Sequence, residues 1–141
     1  MALIQEKDRT EIKKLFAALD KPVKIVHFTQ EFECEFCRET RQLMEEVAGL
    51  SEKLSLETYD FVRDKTVVER YRIDRIPATV LLGEKDSRVR FFGIPSGYEF
   101  ISLLEGIRMV SKGDSELQDD SRKKLAALSK PVHVQVFVTP T

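Results

Sequence analysis

The chain has 141 residues, 42% of them apolar and 33% charged, with a formal net charge of −1. That length supports one domain's core and is short for two, and the apolar fraction with nine phenylalanines excludes a disordered chain. The balanced charge gives no general attraction to nucleic acid or membrane surfaces, no apolar run approaches the roughly 18 residues of a membrane span, and Met1–Lys7 has no secretory apolar region, so the cytoplasm is the expected location.

Residues 8–19 predict an amphipathic helix, with Ile12, Leu15, Phe16 and Leu19 on one face, Asp8 and Glu11 spaced as a capping box, and Pro22 just past its end. Val23–Phe28 is a β-branched, apolar run of strand length, followed by a polar loop over 29–33. The next helix is expected to open at Cys34, with Leu43, Val47, Leu50 and Leu54 as its inner stripe. A second strand over 56–61 and a short helix over 65–72 follow, then Pro77 and a strand over 79–82. The polar turn 83–87 leads to a strand over 89–92, a hairpin pattern. Gly93, Pro95 and Gly97 mark turns rather than a phosphate loop, and a helix over 98–110 closes the unit. Strands separated by helices pair in parallel and the hairpin is antiparallel, so the expected fold is α/β: a mixed sheet of about four strands flanked by helices.

Residues 111–120 read as a polar linker. Beyond them the opening of the chain returns: Ala17–Val23 (AALDKPV) recurs as Ala126–Val132 (AALSKPV), identical at six of seven positions, and Phe28 and Phe137 fall in register. The expected organisation is a complete unit over 1–110, the linker, and over 121–141 the first helix and strand of a second, truncated unit. Lys13 and Lys14, like Lys123 and Lys124, are solvated helix residues and form no basic patch for nucleic acid. The segment 132–138 is apolar and would lack a sheet of its own; it is expected to add to the first unit's sheet, to pair with a second chain as a dimer, or to hang loose as an aggregation liability.

Two cysteines are too few for a disulfide framework, but Cys34 and Cys37 form a C-x-x-C pair after a strand and at a helix start. Spacing of three puts both on one helix face with Cα atoms roughly 5–6 Å apart, within disulfide range. The helix N-terminus favours an anion, so Cys34 is the candidate attacking thiolate and Cys37 the resolving thiol. Two alternatives stand beside this. The thiols could be structural, or they could bind metal; with only His27 and His133 besides, a four-ligand site needs every soft side chain of the chain, or a partner's, as in an iron–sulfur site bridged by two chains.

The strand, Cys34-Glu35-Phe36-Cys37, the helix, and then Arg75-Ile76-Pro77-Ala78-Thr79 before the hairpin resemble the thioredoxin fold. More narrowly, Tyr71–Thr79, Phe92–Phe100 and Val136–Thr141 resemble the glutaredoxin-like protein disulfide oxidoreductases, which carry two thioredoxin-fold units in tandem, each with its own C-x-x-C. The resemblance makes this chain the N-terminal unit of such a protein. It implies a thiol–disulfide oxidoreductase acting on cytosolic protein disulfides, with no cofactor beyond the redox-active disulfide and no metal. A flavoprotein or thioredoxin-type reductase would be the electron donor. It also implies a cis peptide bond before Pro77, with Phe36, Ile76 and Pro77 facing the substrate. A second reading makes the unit mainly structural, shaping a substrate groove around a weakly active dithiol.

Several residues are candidates for tuning. Glu31, Glu33, Glu35 and Glu39 either oppose thiolate formation at Cys34, partly offset by Arg38 and Arg41, so that the couple leans reducing rather than strongly oxidising, or form a solvated, screened acidic surface with little effect. His27 stands where thioredoxins keep a buried acid that relays protons. It is either a base for Cys37 or a packed strand histidine, and its repeat counterpart, Val136, favours packing.

Overall fold

The computed structural model describes residues 1–139. The elements run α1 (Glu6–Ala17), β1 (Val23–Thr29), α2 (Cys37–Ala48), β2 (Leu54–Asp60), α3 (Lys65–Arg70), β3 (Ala78–Leu82), β4 (Asp86–Phe92), α4 (Tyr98–Lys112) and α5 (Asp119–Ala126). Four strands form one sheet in the order β2-β1-β3-β4, with β1 parallel to β2 and the other pairs antiparallel. The α/β class and the mixed four-strand sheet are those expected from the sequence.

The side-chain alternation of the central strand organises the core. Val23 and Ile25 of β1 point to the face covered by α1, α2 and α4, where they meet Phe16, Met44, Val47, Leu103 and Ile107. Val26 and Phe28 point to the other face, against Val68, Ile73 and Val80. Both faces being covered explains why β1 reads as an almost unbroken apolar run. The hydroxyl of Ser111, near the end of α4, closes the far end of the unit. It accepts the Lys21 N–H at 3.0 Å and donates to the Lys21 carbonyl at 2.7 Å.

Element ends differ from expectation for local reasons. α1 begins at Glu6, so Asp8 lies inside its first turn rather than at a cap, and Glu11 pairs with Lys14 at 2.8 Å instead of closing a capping box. Leu54 opens β2 rather than ending α2, because Ala48 and Gly49 end that helix. α4 runs two residues beyond 110 and stops at Gly113, whose left-handed backbone (φ 72°) lets its N–H reach back to the Met109 carbonyl at 2.8 Å. The expected linker is thus shortened from both sides, and ion pairs bind what remains. Arg108 and Lys112 each reach Glu116 at 2.6 Å, and Arg122 reaches Asp114 at 2.6 Å. The largest departure is the strand expected over 132–138. Val132, Val134, Val136, Phe137 and Val138 are exposed, and no strand forms among the described residues beyond β4. A strand needs partners to complete its hydrogen bonds, and this segment is paired with neither sheet edge. Pro140 and Thr141, the end of the expected second unit, lie outside the described residues.

Candidate active site

The chain leaves β1 at Thr29 and reaches α2 through a loop that bends sharply. The Gln30 side-chain amide donates to the Phe32 carbonyl at 2.6 Å. Glu33 adopts a left-handed backbone (φ 55°), a conformation that costs a non-glycine residue roughly 1 kcal/mol or more. Cys34 follows in the loop, Glu35 and Phe36 form a turn, and Cys37 is the first residue of α2. The helix therefore begins three residues later than the sequence pattern predicts, and Phe36 rather than Cys34 borders it.

Cys34 and Cys37 are joined in a disulfide with Cα atoms 5.5 Å apart. Cys34 is half-buried, whereas Cys37 is 1% exposed. The bond to the first helical residue carries the Cys34 sulfur to the N-terminus of α2, even though the Cys34 backbone lies outside the helix. No side chain caps that terminus. Its backbone N–H groups and dipole are therefore oriented to stabilise a thiolate released there. The Phe36 carbonyl is fixed from below by Thr40, whose hydroxyl donates at 2.6 Å and whose N–H donates at 3.0 Å. Thr40 is fully buried and helps hold the C-x-x-C turn. Its position three residues after Cys37, on the same helix face, was the available sequence signal.

The Ile76–Pro77 bond is cis. Pro77 is buried, Ile76 is half-buried, and the Pro77 carbonyl accepts the Gly93 N–H at 2.8 Å. Ala78, the next residue, stands opposite Phe28 of β1. Pro77 and Ile76 thus lie at the sheet end from which β1 leads to the dithiol. Phe92 of β4, opposite Ala78, is also exposed there, with the Arg75 guanidinium 5.6 Å over its ring. Phe36, Ile76 and Pro77 therefore share one end of the molecule with the cysteines.

The tuning residues separate. Glu33, Glu35 and Arg38 are exposed beside the disulfide. Arg41 pairs with Glu45 at 2.9 Å along α2. His27 is fully buried on the β1 face covered by α2, the helix whose inner face also carries Cys37. Its Nδ1 lies 3.3 Å from Thr79 Oγ1, and its Nε2 has no hydrogen-bond partner among the described residues. Burial lowers the His27 pKa from 6.5 to about 4. Such an imidazole is neutral at pH 7 and a poor acceptor for a thiol proton, which favours the packed-histidine reading. Thr79 was not anticipated, since only the strand register brings it opposite His27. No group of three or more His, Cys, Asp or Glu side chains that could hold a metal gathers among the described residues, and none of their helices is long and apolar enough to cross a membrane.

No family model matches the sequence, and no curated protein matches it. Solved structures do. A protein disulfide oxidoreductase from Aeropyrum pernix superposes with a TM-score of 0.79 at 29% identity, covering 88% of this chain and 55% of that one. The chain is a thioredoxin-fold protein. The N-terminal domain of an alkylhydroperoxide reductase from Enterococcus faecalis matches equally well, with a TM-score of 0.79, 29% identity, and coverage of 90% of this chain and 62% of that one. A Fasciola hepatica thioredoxin, at 21% identity and a TM-score of 0.52, matches over 70% of this chain and supports the fold alone. The present thioredoxin-fold chain spans less than two-thirds of the length of the first two structures.

Proposed function

We propose that this chain is a thiol–disulfide oxidoreductase of the glutaredoxin-like protein disulfide oxidoreductase type, working on protein disulfides in the cytoplasm. One observation carries the reading: a half-exposed Cys34 is bonded to a buried Cys37 at an uncapped helix N-terminus. The exposed sulfur can meet a substrate, and the buried one meets only its neighbour.

In the reducing direction the Cys34 thiolate attacks one sulfur of a substrate disulfide. A mixed disulfide forms and one substrate thiolate leaves. The Cys37 thiolate then attacks the Cys34 sulfur, closing the intramolecular disulfide and releasing the second substrate thiolate. Two electrons pass to the substrate, and both released thiolates take up protons according to their pKa. The half-buried Ile76 and the exposed Phe36 are the residues offered to an extended substrate segment, with Pro77 beside them. No cofactor enters these steps, and a flavoprotein or thioredoxin-type reductase returns the electrons. The sequence repeat supports reading 1–110 as one catalytic unit and 121–141 as the opening of a second.

The test is reduction of insulin by the chain with dithiothreitol as donor. Wild type is expected to turn over well above dithiothreitol alone, Cys34→Ser to abolish the gain, and Cys37→Ser to accumulate a mixed disulfide with substrate. Wild-type turnover no faster than dithiothreitol, unchanged in Cys34→Ser, would instead support a structural, groove-forming unit.

A further inference from the structure

The segment that carries the attacking sulfur alternates acid and aromatic residues: Glu31, Phe32, Glu33, Cys34, Glu35, Phe36. All three carboxylates are exposed, and none enters an ion pair among the described residues. Segment 30–39 carries four acids, Glu31, Glu33, Glu35 and Glu39, and one cation, Arg38. Outside that segment, Arg41 pairs with Glu45 at 2.9 Å and Arg75 with Asp74 at 2.9 Å, and the exposed Arg63 follows the end of β2, where Asp60 stands opposite Thr29. Phe32 is 72% exposed and Phe36 47%, so apolar rings stand between the charges. The carboxylates do not form a site of their own. They flank the sulfur at which any substrate disulfide must arrive.

From this arrangement we infer that Glu31, Glu33 and Glu35 make the dithiol selective by charge: it reacts preferentially with disulfides set among cationic side chains and disfavours anionic disulfides such as that of glutathione. The inference rests on the oxidoreductase reading and specifies its substrate class. A cationic segment gains attraction on approach and offsets the negative charge that accumulates as one thiolate attacks and another leaves. An anionic disulfide meets like charge at both stages. Charges within a few residues of the reacting sulfur lie inside the screening length of about 10 Å at 0.1 M salt, so they act at physiological ionic strength and fade in high salt.

The experiment uses the reduced full chain and two small symmetrical disulfides, cystamine with two ammonium groups and dithiodipropionate with two carboxylates. Each exchange rate is divided by that of the same disulfide with 2-mercaptoethanol, which removes differences in leaving-group thiol. At low ionic strength the normalised rate is expected to favour cystamine by about tenfold. The preference should shrink towards unity in 1 M salt and fall to within about twofold in the Glu31→Gln, Glu33→Gln, Glu35→Gln triple variant. Glu52→Gln, a change of one exposed acid beyond the far end of α2, should leave it intact. Equal normalised rates in wild type, or a preference that survives the triple substitution, would overturn the charge assignment while leaving the oxidoreductase reading standing. Exchange with neither disulfide above the 2-mercaptoethanol rate would overturn both.

Discussion

Residues 17–23 and 126–132 are nearly the same heptapeptide, and the chain folds around them in two different ways. Around the first, α1 ends at Ala17, the Leu19 N–H turns back to the Phe16 carbonyl at 3.2 Å, and the chain enters β1. Around the second, α5 ends at the matching Ala126, and the Leu128 N–H turns back to the Leu125 carbonyl at the same 3.2 Å. No strand follows. The helix end and its turn close their hydrogen bonds within a few residues, so the local sequence suffices to reproduce them. The strand cannot do this: every residue of β1 is matched to β2 on one side, and Lys24–Phe28 are matched to β3 on the other. The second copy has the residues of a strand and lacks the sheet.

Paired substitutions at matching repeat positions turn that contrast into measurements. The largest difference is expected at the phenylalanines. Phe28 is fully buried and stacked with Tyr59 at 6.0 Å, whereas Phe137 is 89% exposed. Phe28→Ala should cost about 3–5 kcal/mol of unfolding free energy in urea, and Phe137→Ala less than about 0.5 kcal/mol. A comparable loss at both positions would mean that the tail is packed in solution, against this chain or a second one.

The helices give a smaller contrast. Lys14 and Lys123 are matching exposed residues of α1 and α5. Proline at position 14 removes a hydrogen bond inside a helix that buries Ile12 and Phe16, and should lower stability by roughly 3 kcal/mol. α5 buries no residue and is short enough to be marginal alone, so Lys123→Pro should abolish helical signal from α5 while leaving the urea midpoint unchanged.

The same distinction governs what could be read from the sequence. The amphipathic stripe of α1, the β-branched run of β1 and the C-x-x-C spacing carry their own signals, and each element stands where its pattern placed it to within a few residues. The start of α2 was misplaced because C-x-x-C spacing satisfies a helix face whether or not the first cysteine is helical; the left-handed Glu33 and the Glu35–Phe36 turn hold Cys34 outside it. Arg41, a cation expected to offset the acids around the thiols, also pairs with Glu45 one turn along α2, since residues four apart on a helix meet. Thr79 against His27 depends on the strand register, which no local pattern encodes. Segment 132–138 forms no strand for the converse reason: its apolar residues suit one, but it is paired with neither edge of the sheet.

The smallest and most specific contrast is His27 against Val136. Burial lowers the His27 pKa from 6.5 to about 4. Between those pH values the unfolded chain binds a proton on this imidazole and the folded chain does not, so falling pH favours unfolding. The contribution is fully present above about pH 6.5, declines as the pH drops and levels off below about 4, a total on the order of 3 kcal/mol. His27→Val removes this titration and also the buried Nε2, a group whose desolvation costs roughly 1–3 kcal/mol when unpaired. The smaller side chain leaves a cavity that works in the opposite direction, so stability at pH 7 alone is a poor readout. The cavity does not titrate. Urea unfolding of wild type and His27→Val at pH 7 and pH 4.5 should therefore show a loss of stability with acid in the first that is largely absent from the second. Val136→His, which places the same imidazole at the exposed repeat position, should leave the wild-type pH dependence unchanged, because a solvated histidine has nearly the same pKa folded and unfolded. An equal acid response in wild type and His27→Val would show that other groups set it and that the buried imidazole is already compensated in the folded chain.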